Sequence, residues 1–74
     1  MIQYSRFSNG GYVLHKITGY WRGHCSAWFD AGGKLLDAEI LYPDRYASRP
    51  VKVGGPMWRE VQRVGRSYLG RGAI

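Results

Sequence analysis

The stretch from residue 54 to residue 72, GGPMWREVQRVGRSYLGRG, carries the clearest chemical pattern in the chain. Arg59, Arg63 and Arg66 recur at intervals of four and three residues, which places them together on one face of an α-helix. Guanidinium groups spaced by one helical turn can follow the phosphates of a nucleic-acid backbone and release its counterions. The alternative is a solvated helix face, because arginine is a good helix former and exposed faces are polar.

The distribution of charge along the chain favours a binding role for these arginines. The formal net charge is +6, and seven of the eleven basic residues come after residue 42. Eight of the eleven are arginine, whose planar fork pairs with phosphate or carboxylate at two points. The predicted anion-binding set joins the helix arginines to the basic residues on either side of them: Arg45, Arg49, Lys52, Arg59, Arg63, Arg66 and Arg71.

Catalytic and metal-binding patterns are weak by comparison. His24 and Cys25 are adjacent, and neighbouring residues of a strand point to opposite faces, so they form neither a nucleophile and base pair nor a shared metal site. We interpret Cys25 as a buried structural thiol. His15, His24 and Glu39 could meet as a metal trio, but the chain has no histidine or cysteine spacing of recognised zinc type. We therefore expect no metal and no cofactor.

Asp37 and Glu39 are two residues apart on one predicted strand, which is the arrangement of a carboxylate pair for acid and base catalysis. Exposed acidic pairs on strands are far commoner, and a chain of 74 residues has little room for a pocket that excludes water. We therefore expect a non-enzymatic protein. The less favoured alternative is a small enzyme, or the subunit of an enzyme assembled at an oligomer interface.

The first 42 residues predict an antiparallel meander of four strands, because short apolar runs alternate with turns that contain glycine. The turn signals are Asn9-Gly10, Arg22-Gly23 and the run from Asp30 to Gly33. The predicted strands cover residues 2–7, 12–21, 24–29 and 34–41.

The last hairpin of this meander has the strongest turn chemistry, and its register can be predicted. Pairing Phe29 with Lys34 puts Ala27 opposite Leu36 and Cys25 opposite Ala38, which gives one apolar face. The same register pairs Trp28 with Leu35, Ser26 with Asp37 and His24 with Glu39 on a polar, wetter face.

After the meander the sequence predicts a basic loop at 43–55, an amphipathic helix at 56–69 and a frayed tail at 70–74. Pro56 suits the first helical position, where its missing N–H costs nothing. Met57, Val61, Val64 and Tyr68 form an apolar stripe that should face the sheet. The predicted fold class is therefore a small single-domain α+β protein, with a four-stranded antiparallel meander and one C-terminal helix packed on it (ββββα).

Composition sets the remaining expectations. Hydrophobic residues make up 45% of the chain and eleven residues are aromatic, which indicates a folded protein. The chain has a single cysteine, and its amino terminus lacks an export pattern. Its apolar runs are far shorter than the roughly 20 residues of a membrane span. These features predict a cytoplasmic protein with no membrane association. A homodimer would supplement the small core.

The expected function is that of a small accessory or regulatory protein that binds nucleic acid through the arginine-lined helix and the adjoining loop. The alternative is a protein-binding module or inhibitor that docks an acidic protein surface, as small proteins of phages and mobile elements do. Tyr20 or Trp21, together with Trp28, could instead stack on bases from the sheet face. Asp37 and Glu39 on that face argue against this, because carboxylates repel phosphates.

Overall fold

The computed structural model describes residues 1–42 and 47–70. In these ranges the strands form one antiparallel sheet in the order β1-β2-β3-β4-β5, so each strand pairs with the next in sequence. The α+β class and the antiparallel meander are confirmed, but the predicted number of strands was one too few. The elements are β1 (Gln3–Arg6), β2 (Tyr12–Ile17), β3 (His24–Phe29), β4 (Leu35–Tyr42), β5 (Ala47–Pro50) and α1 (Pro56–Arg66).

The additional strand, β5, lies in the segment that the sequence predicts to be a basic loop. It pairs with β4 along the edge of the sheet, with Arg49 opposite Ile40. All four of its residues are exposed. An edge strand without a buried side chain has no alternation of apolar and polar residues, and this alternation is the signal by which a strand is recognised in sequence.

The β1–β2 and β3–β4 hairpins close with the same type of turn, and the sequence predicted both. A glycine with positive φ ends each turn: Gly10 has φ 92° and Gly33 has φ 85°. A side-chain oxygen stabilises each turn from within. Asn9 Oδ1 accepts a hydrogen bond from the backbone N–H two residues ahead at 2.9 Å. Asp30 Oδ1 accepts from the N–H groups two and four residues ahead, at 2.9 and 2.8 Å.

The pairing of β3 with β4 differs by two residues from the predicted register. Ala27 lies opposite Ala38 instead of Leu36, and Cys25 lies opposite Ile40 instead of Ala38. A shift of two residues keeps each side chain on the same face of the sheet. Cys25, Ala27 and Ala38 are therefore fully buried, as predicted.

A β-bulge at the start of β4 overturns one predicted core residue. Trp28 lies opposite Asp37, whereas the next residue, Phe29, lies opposite Leu35, so that Leu36 is the extra residue. Leu35 is 3% exposed and belongs to the core, whereas Leu36 is 58% exposed. The prediction that Leu36 shares the buried face with Phe29 was wrong, because the bulge exchanges the two leucines.

Strand β2 ends at Ile17 rather than at residue 21, because its pairing with β3 becomes irregular. Lys16 has φ 62°, in the left-handed region, where the register shifts. Bends at residues 19–23 then complete the connection to β3. The reversal predicted near Gly23 occurs there: the residue has φ 87°, and an added Cβ would lie 2.4 Å from the Leu41 backbone oxygen.

Helix α1 covers one face of the sheet and ends three residues earlier than predicted. Val61 is fully buried, whereas Met57, Val64 and Tyr68 are half-buried and pack against the core. The predicted apolar stripe therefore faces the sheet, but the other buried helix residue is Gly65, which the sequence did not single out. No helix within residues 1–42 and 47–70 has the length and hydrophobicity to cross a membrane.

At Gly65 the backbone of α1 lies directly against the sheet. A Cβ atom added at this position would lie 2.0 Å from Phe29 Cε2. The Tyr12 hydroxyl donates a hydrogen bond to the Gly65 carbonyl oxygen at 2.7 Å, and the rings of Tyr12 and Phe29 stack with centroids 4.9 Å apart. The helix backbone therefore rests directly on two buried aromatic rings.

A second attachment lies one turn earlier in the helix. The Gln62 side chain accepts a hydrogen bond from the Leu35 backbone N–H at 2.8 Å and donates one to the Gly33 carbonyl at 2.6 Å. One amide thus satisfies two backbone groups at the start of β4. Together with the Tyr12 hydroxyl, it fixes the position and the rotation of the helix.

We predict that Gly65→Ala destabilises the protein by at least about 2 kcal/mol, because the new methyl group would overlap the Phe29 ring in a packed core. Urea unfolding followed by tryptophan fluorescence measures this loss. Gly32→Ala is the control, since its added Cβ would meet only the Asp30 side chain at 3.5 Å. Equal stability of the two variants would contradict the close approach.

Candidate nucleic-acid interface

The basic face consists of Arg49, Lys52, Arg59, Arg63 and Arg66, all of which are exposed. The three helix arginines are exposed, whereas Val61 and Gly65 of the same helix are buried against the sheet. Arg49 lies opposite Ile40, a core residue, so it is on the same side of the sheet as α1. Lys52 lies in the turn between β5 and the helix. The structure thus places the helix arginines and Arg49 on the α1 side of the sheet, with Lys52 in the connection between them. Arg45 and Arg71 of the predicted set lie outside the described residues.

The helix arginines are not equivalent, because Arg63 is paired with Glu60. Arg63 Nε donates to Glu60 Oε1 at 3.0 Å, and Arg63 Nη2 donates to Glu60 Oε2 at 2.5 Å. This hydrogen-bonded pair lowers the pKa of Glu60 and raises that of Arg63. Glu60 and Arg63 are three residues apart, a spacing that predicts an ion pair on a helix, but the sequence-based prediction did not include this pair.

Arg59 and Arg66 form no ion pair within the part of the chain that the structure describes. Arg66 lies in the last turn of α1, where a positive charge interacts favourably with the helix dipole. Its charge also acts on the phenol of Tyr12, whose pKa is raised mainly by burial, then by Tyr4 and Asp30, and is lowered in part by Arg66. Arg59 and Arg66 are therefore the helix guanidiniums most available to an anion.

The acidic residues of β4 lie on the other side of the sheet. Asp37 is paired with Trp28 and Glu39 with Ser26, on the face that α1 does not cover, and both carboxylates are exposed. This face is the polar one that the sequence predicted. The two layers therefore carry charges of opposite sign: arginines on the outer face of the helix and carboxylates on the outer face of the sheet.

Cys25 and His24 point to opposite faces, as predicted from their adjacency. Cys25 is fully buried, and burial, assisted by the negative charge of Glu39, raises the pKa of its thiol to about 11. His24 is exposed. No three histidine, cysteine, aspartate or glutamate side chains come together as metal ligands among residues 1–42 and 47–70, so His15, His24 and Glu39 do not form the trio considered above.

One polar pair on the outer sheet face was not predicted. His15 Nδ1 lies 2.9 Å from Ser26 Oγ, and the imidazole meets the edge of the Trp28 ring with centroids 6.2 Å apart. A serine bonded to a histidine has the composition of a nucleophile and its base. Both residues, however, are half-exposed on an open sheet face, so we interpret the contact as a cross-strand hydrogen bond.

The aromatic residues proposed as stacking platforms do not form one surface. Trp21 is half-buried and packs against the core, and its ring meets that of Tyr20, which is 73% exposed, edge to face at 5.2 Å. Trp28 is half-buried on the outer sheet face, next to the carboxylate of Asp37. The geometry therefore favours the helix side over the sheet face as the surface for an anionic ligand.

The chain matches no protein-family model, no curated protein and no solved structure.

We predict that Cys25 in the native protein reacts with a disulfide reagent at pH 8 at least about a hundredfold more slowly than in the unfolded chain, because a thiol with a pKa near 11 is almost entirely protonated there. The rate in the presence and absence of urea, followed by absorbance, measures the difference. Modification of the native protein as fast as that of free cysteine would indicate an exposed or activated sulfur and would revive the enzyme hypothesis.

Proposed function

We propose that this protein is a non-enzymatic accessory or regulatory protein that binds the phosphate backbone of nucleic acid through the basic face. The observation that carries the proposal is the separation of charge between the two layers. The helix arginines are exposed together on one side, and the carboxylates of Asp37 and Glu39 are on the other. A polyanion approaching the helix therefore meets guanidinium groups without facing these acids.

The chemistry of the basic face suits phosphate contacts rather than the reading of base sequence. Arg59 and Arg66, which form no ion pair with another described residue, present guanidiniums from the first and last parts of α1. Lys52 and Arg49 extend the positive surface along the adjoining segment. Such contacts release counterions and weaken as salt rises. Binding should therefore depend strongly on salt and little on sequence.

At Arg63 the Glu60 carboxylate would compete with the phosphate of a ligand. Its guanidinium is held by the Glu60 carboxylate at both oxygens, and a phosphate could replace the carboxylate because it offers the same geometry of acceptors. Glu60 thus acts as an internal anion that the ligand must displace. In this proposal the protein works in the cytoplasm, where nucleic acid is accessible and a buried thiol stays reduced.

Replacing Arg59, Arg63 and Arg66 together by glutamine should leave the fold intact, since all three are exposed and glutamine retains helix propensity. Affinity for DNA should fall uniformly across sequences. The slope of log K against log salt should flatten by about 0.9 for each phosphate contact removed from a duplex. Fluorescence anisotropy with labelled oligonucleotides over a salt series measures both effects, and circular dichroism checks the fold.

A charge-matched control removes Lys16, Arg22 and Lys34, three exposed basic residues outside the basic face, by substitution with glutamine. This variant should change the salt slope much less than the helix variant. Equal effects of the two variants would show that net charge alone determines binding. A different result would be that wild-type protein binds no DNA or RNA at low salt but captures a protein partner that needs the same three arginines. That result would show that the ligand of the basic face is an acidic protein surface and not nucleic acid.

A second substitution should increase the affinity for nucleic acid instead of lowering it. Glu60→Gln should strengthen nucleic-acid binding by about threefold to tenfold, because it removes a negative charge from the basic face and frees the Arg63 guanidinium for phosphate. The same anisotropy measurement applies. Glu39→Gln makes the identical chemical change on the outer face of the sheet and should have a smaller effect. An equal gain from both substitutions would contradict binding at the helix.

A further inference from the structure

A cleft of about 350 Å³ lies where the β1–β2 hairpin meets the chain that follows α1. This volume is at the small end of the range for ligand pockets in proteins, which begins at about 300 Å³. Three separate segments of the chain supply its walls, so no local pattern in the sequence indicates it. The described residues that line it are Tyr4, Arg6, Gly10, Tyr12, Ala31, Leu69 and Gly70.

The aromatic surface of the cleft is held in place by a continuous series of rings. Tyr68 stacks on Tyr4 with centroids 6.0 Å apart, Tyr4 meets Tyr12 at 5.6 Å, and Tyr12 stacks on Phe29 at 4.9 Å. The series runs from the end of the helix into the core. Since the Tyr12 hydroxyl is also bonded to Gly65, the wall is preorganised for a ligand.

The cleft is open to solvent because several of its lining residues are small. Gly10 and Gly70 both have positive φ, 92° and 82°, which favours glycine at these positions. Ala31 contributes only a methyl group, and a Cβ added at Gly70 would meet no atom of the other described residues within 4 Å. Leu69, 47% exposed, is the largest apolar side chain besides the tyrosines.

One basic residue borders this aromatic surface. Arg6 lines the cleft, and none of its described lining residues is acidic. The nearby Asp30 carboxylate is bonded to the backbone N–H groups of its own turn. The Gly65 carbonyl that accepts the Tyr12 hydrogen bond immediately precedes Arg66, so the last arginine of the basic face begins at the same end of the helix as the cleft. The cleft therefore lies near the Arg66 end of the basic face, with Arg6 as its own basic residue.

We propose that this cleft receives one unstacked base of a single-stranded nucleic acid whose phosphates contact Arg6 and the basic face. The inference rests on the proposed function and specifies its ligand. A flat base suits a pocket whose accessible apolar wall is formed by Tyr4 and Leu69, with the buried Tyr12 ring beneath them. The adjoining guanidinium suits the phosphate attached to that base. A base in a duplex is stacked and paired, so it could enter only after being flipped out.

The first test compares a labelled oligo(dT) single strand with a DNA duplex of the same length at the same salt concentration, using fluorescence anisotropy. Wild-type protein should bind the single strand more tightly. Leu69→Glu places a carboxylate in the cleft and should reduce single-strand affinity about tenfold, the scale of losing one stacked base, with a smaller effect on the duplex. Arg6→Gln should lower single-strand affinity in the same direction.

Leu41→Glu is the matched control for Leu69→Glu. It replaces the same residue type at nearly the same exposure, 48% against 47%, and changes the net charge equally, but Leu41 lies on β4 in the outer face of the sheet. It should weaken both nucleic-acid forms less. The base-binding cleft would be overturned if wild-type protein had equal affinity for both forms and the two glutamate variants lost affinity to the same extent. Phosphate binding by the basic face would be unaffected by that result.

A second readout does not need the basic face. In an NMR titration with thymidine 5′-monophosphate, resonances of Tyr4, Arg6 and Leu69 should shift, and they should still shift in the protein that lacks the three helix arginines. Leu69→Glu should abolish the shifts at Tyr4 and Arg6. Oligonucleotide binding without any mononucleotide shift at these residues would overturn the cleft proposal alone. Failure of wild type to bind either oligonucleotide would overturn the proposed function.

Discussion

The contact between the Gly65 backbone and the Phe29 ring determines where the helix lies, and most other features follow from it. A glycine is required because any side chain would overlap the ring. The Tyr12 hydroxyl and the Gln62 amide then fix the rotation of the helix about its axis. With this rotation fixed, the arginines can only point away from the sheet. The direction of the basic face is thus set by a buried contact that carries no charge.

The parts of the fold that were predictable from sequence are those that depend on neighbouring residues. The two hairpins followed from an asparagine or aspartate and a glycine, because the side-chain oxygen and the positive φ act within one turn. The register of β3 and β4 did not follow. Leu35 and Leu36 are chemically identical, so only packing decides which one enters the core, and the bulge that decides it involves the opposite strand. Strand β5 was missed because it buries none of its four residues.

The same division applies to the candidate site. The exposure of Arg59, Arg63 and Arg66 followed from the helical period and the position of the apolar stripe. The pairing of Arg63 with Glu60 could have been inferred from their spacing, although such pairs contribute little on an exposed helix. The cleft beside Tyr4 could not have been inferred, because hairpin, turn and helix end are brought together only by the tertiary fold.

The strand order has a consequence for how the chain folds. Every strand pairs with its neighbour in sequence, so the sheet can grow one hairpin at a time while closing only short loops. The hydrogen bond from Tyr12 to Gly65, by contrast, is a long-range contact between residues that are 53 positions apart in the sequence. It joins the second strand to the last helix, and it can form only after the intervening strands are in place. We therefore expect helix docking to convert a set of marginally stable hairpins into a cooperative unit, so that the late step of folding is the docking of the helix at Gly65.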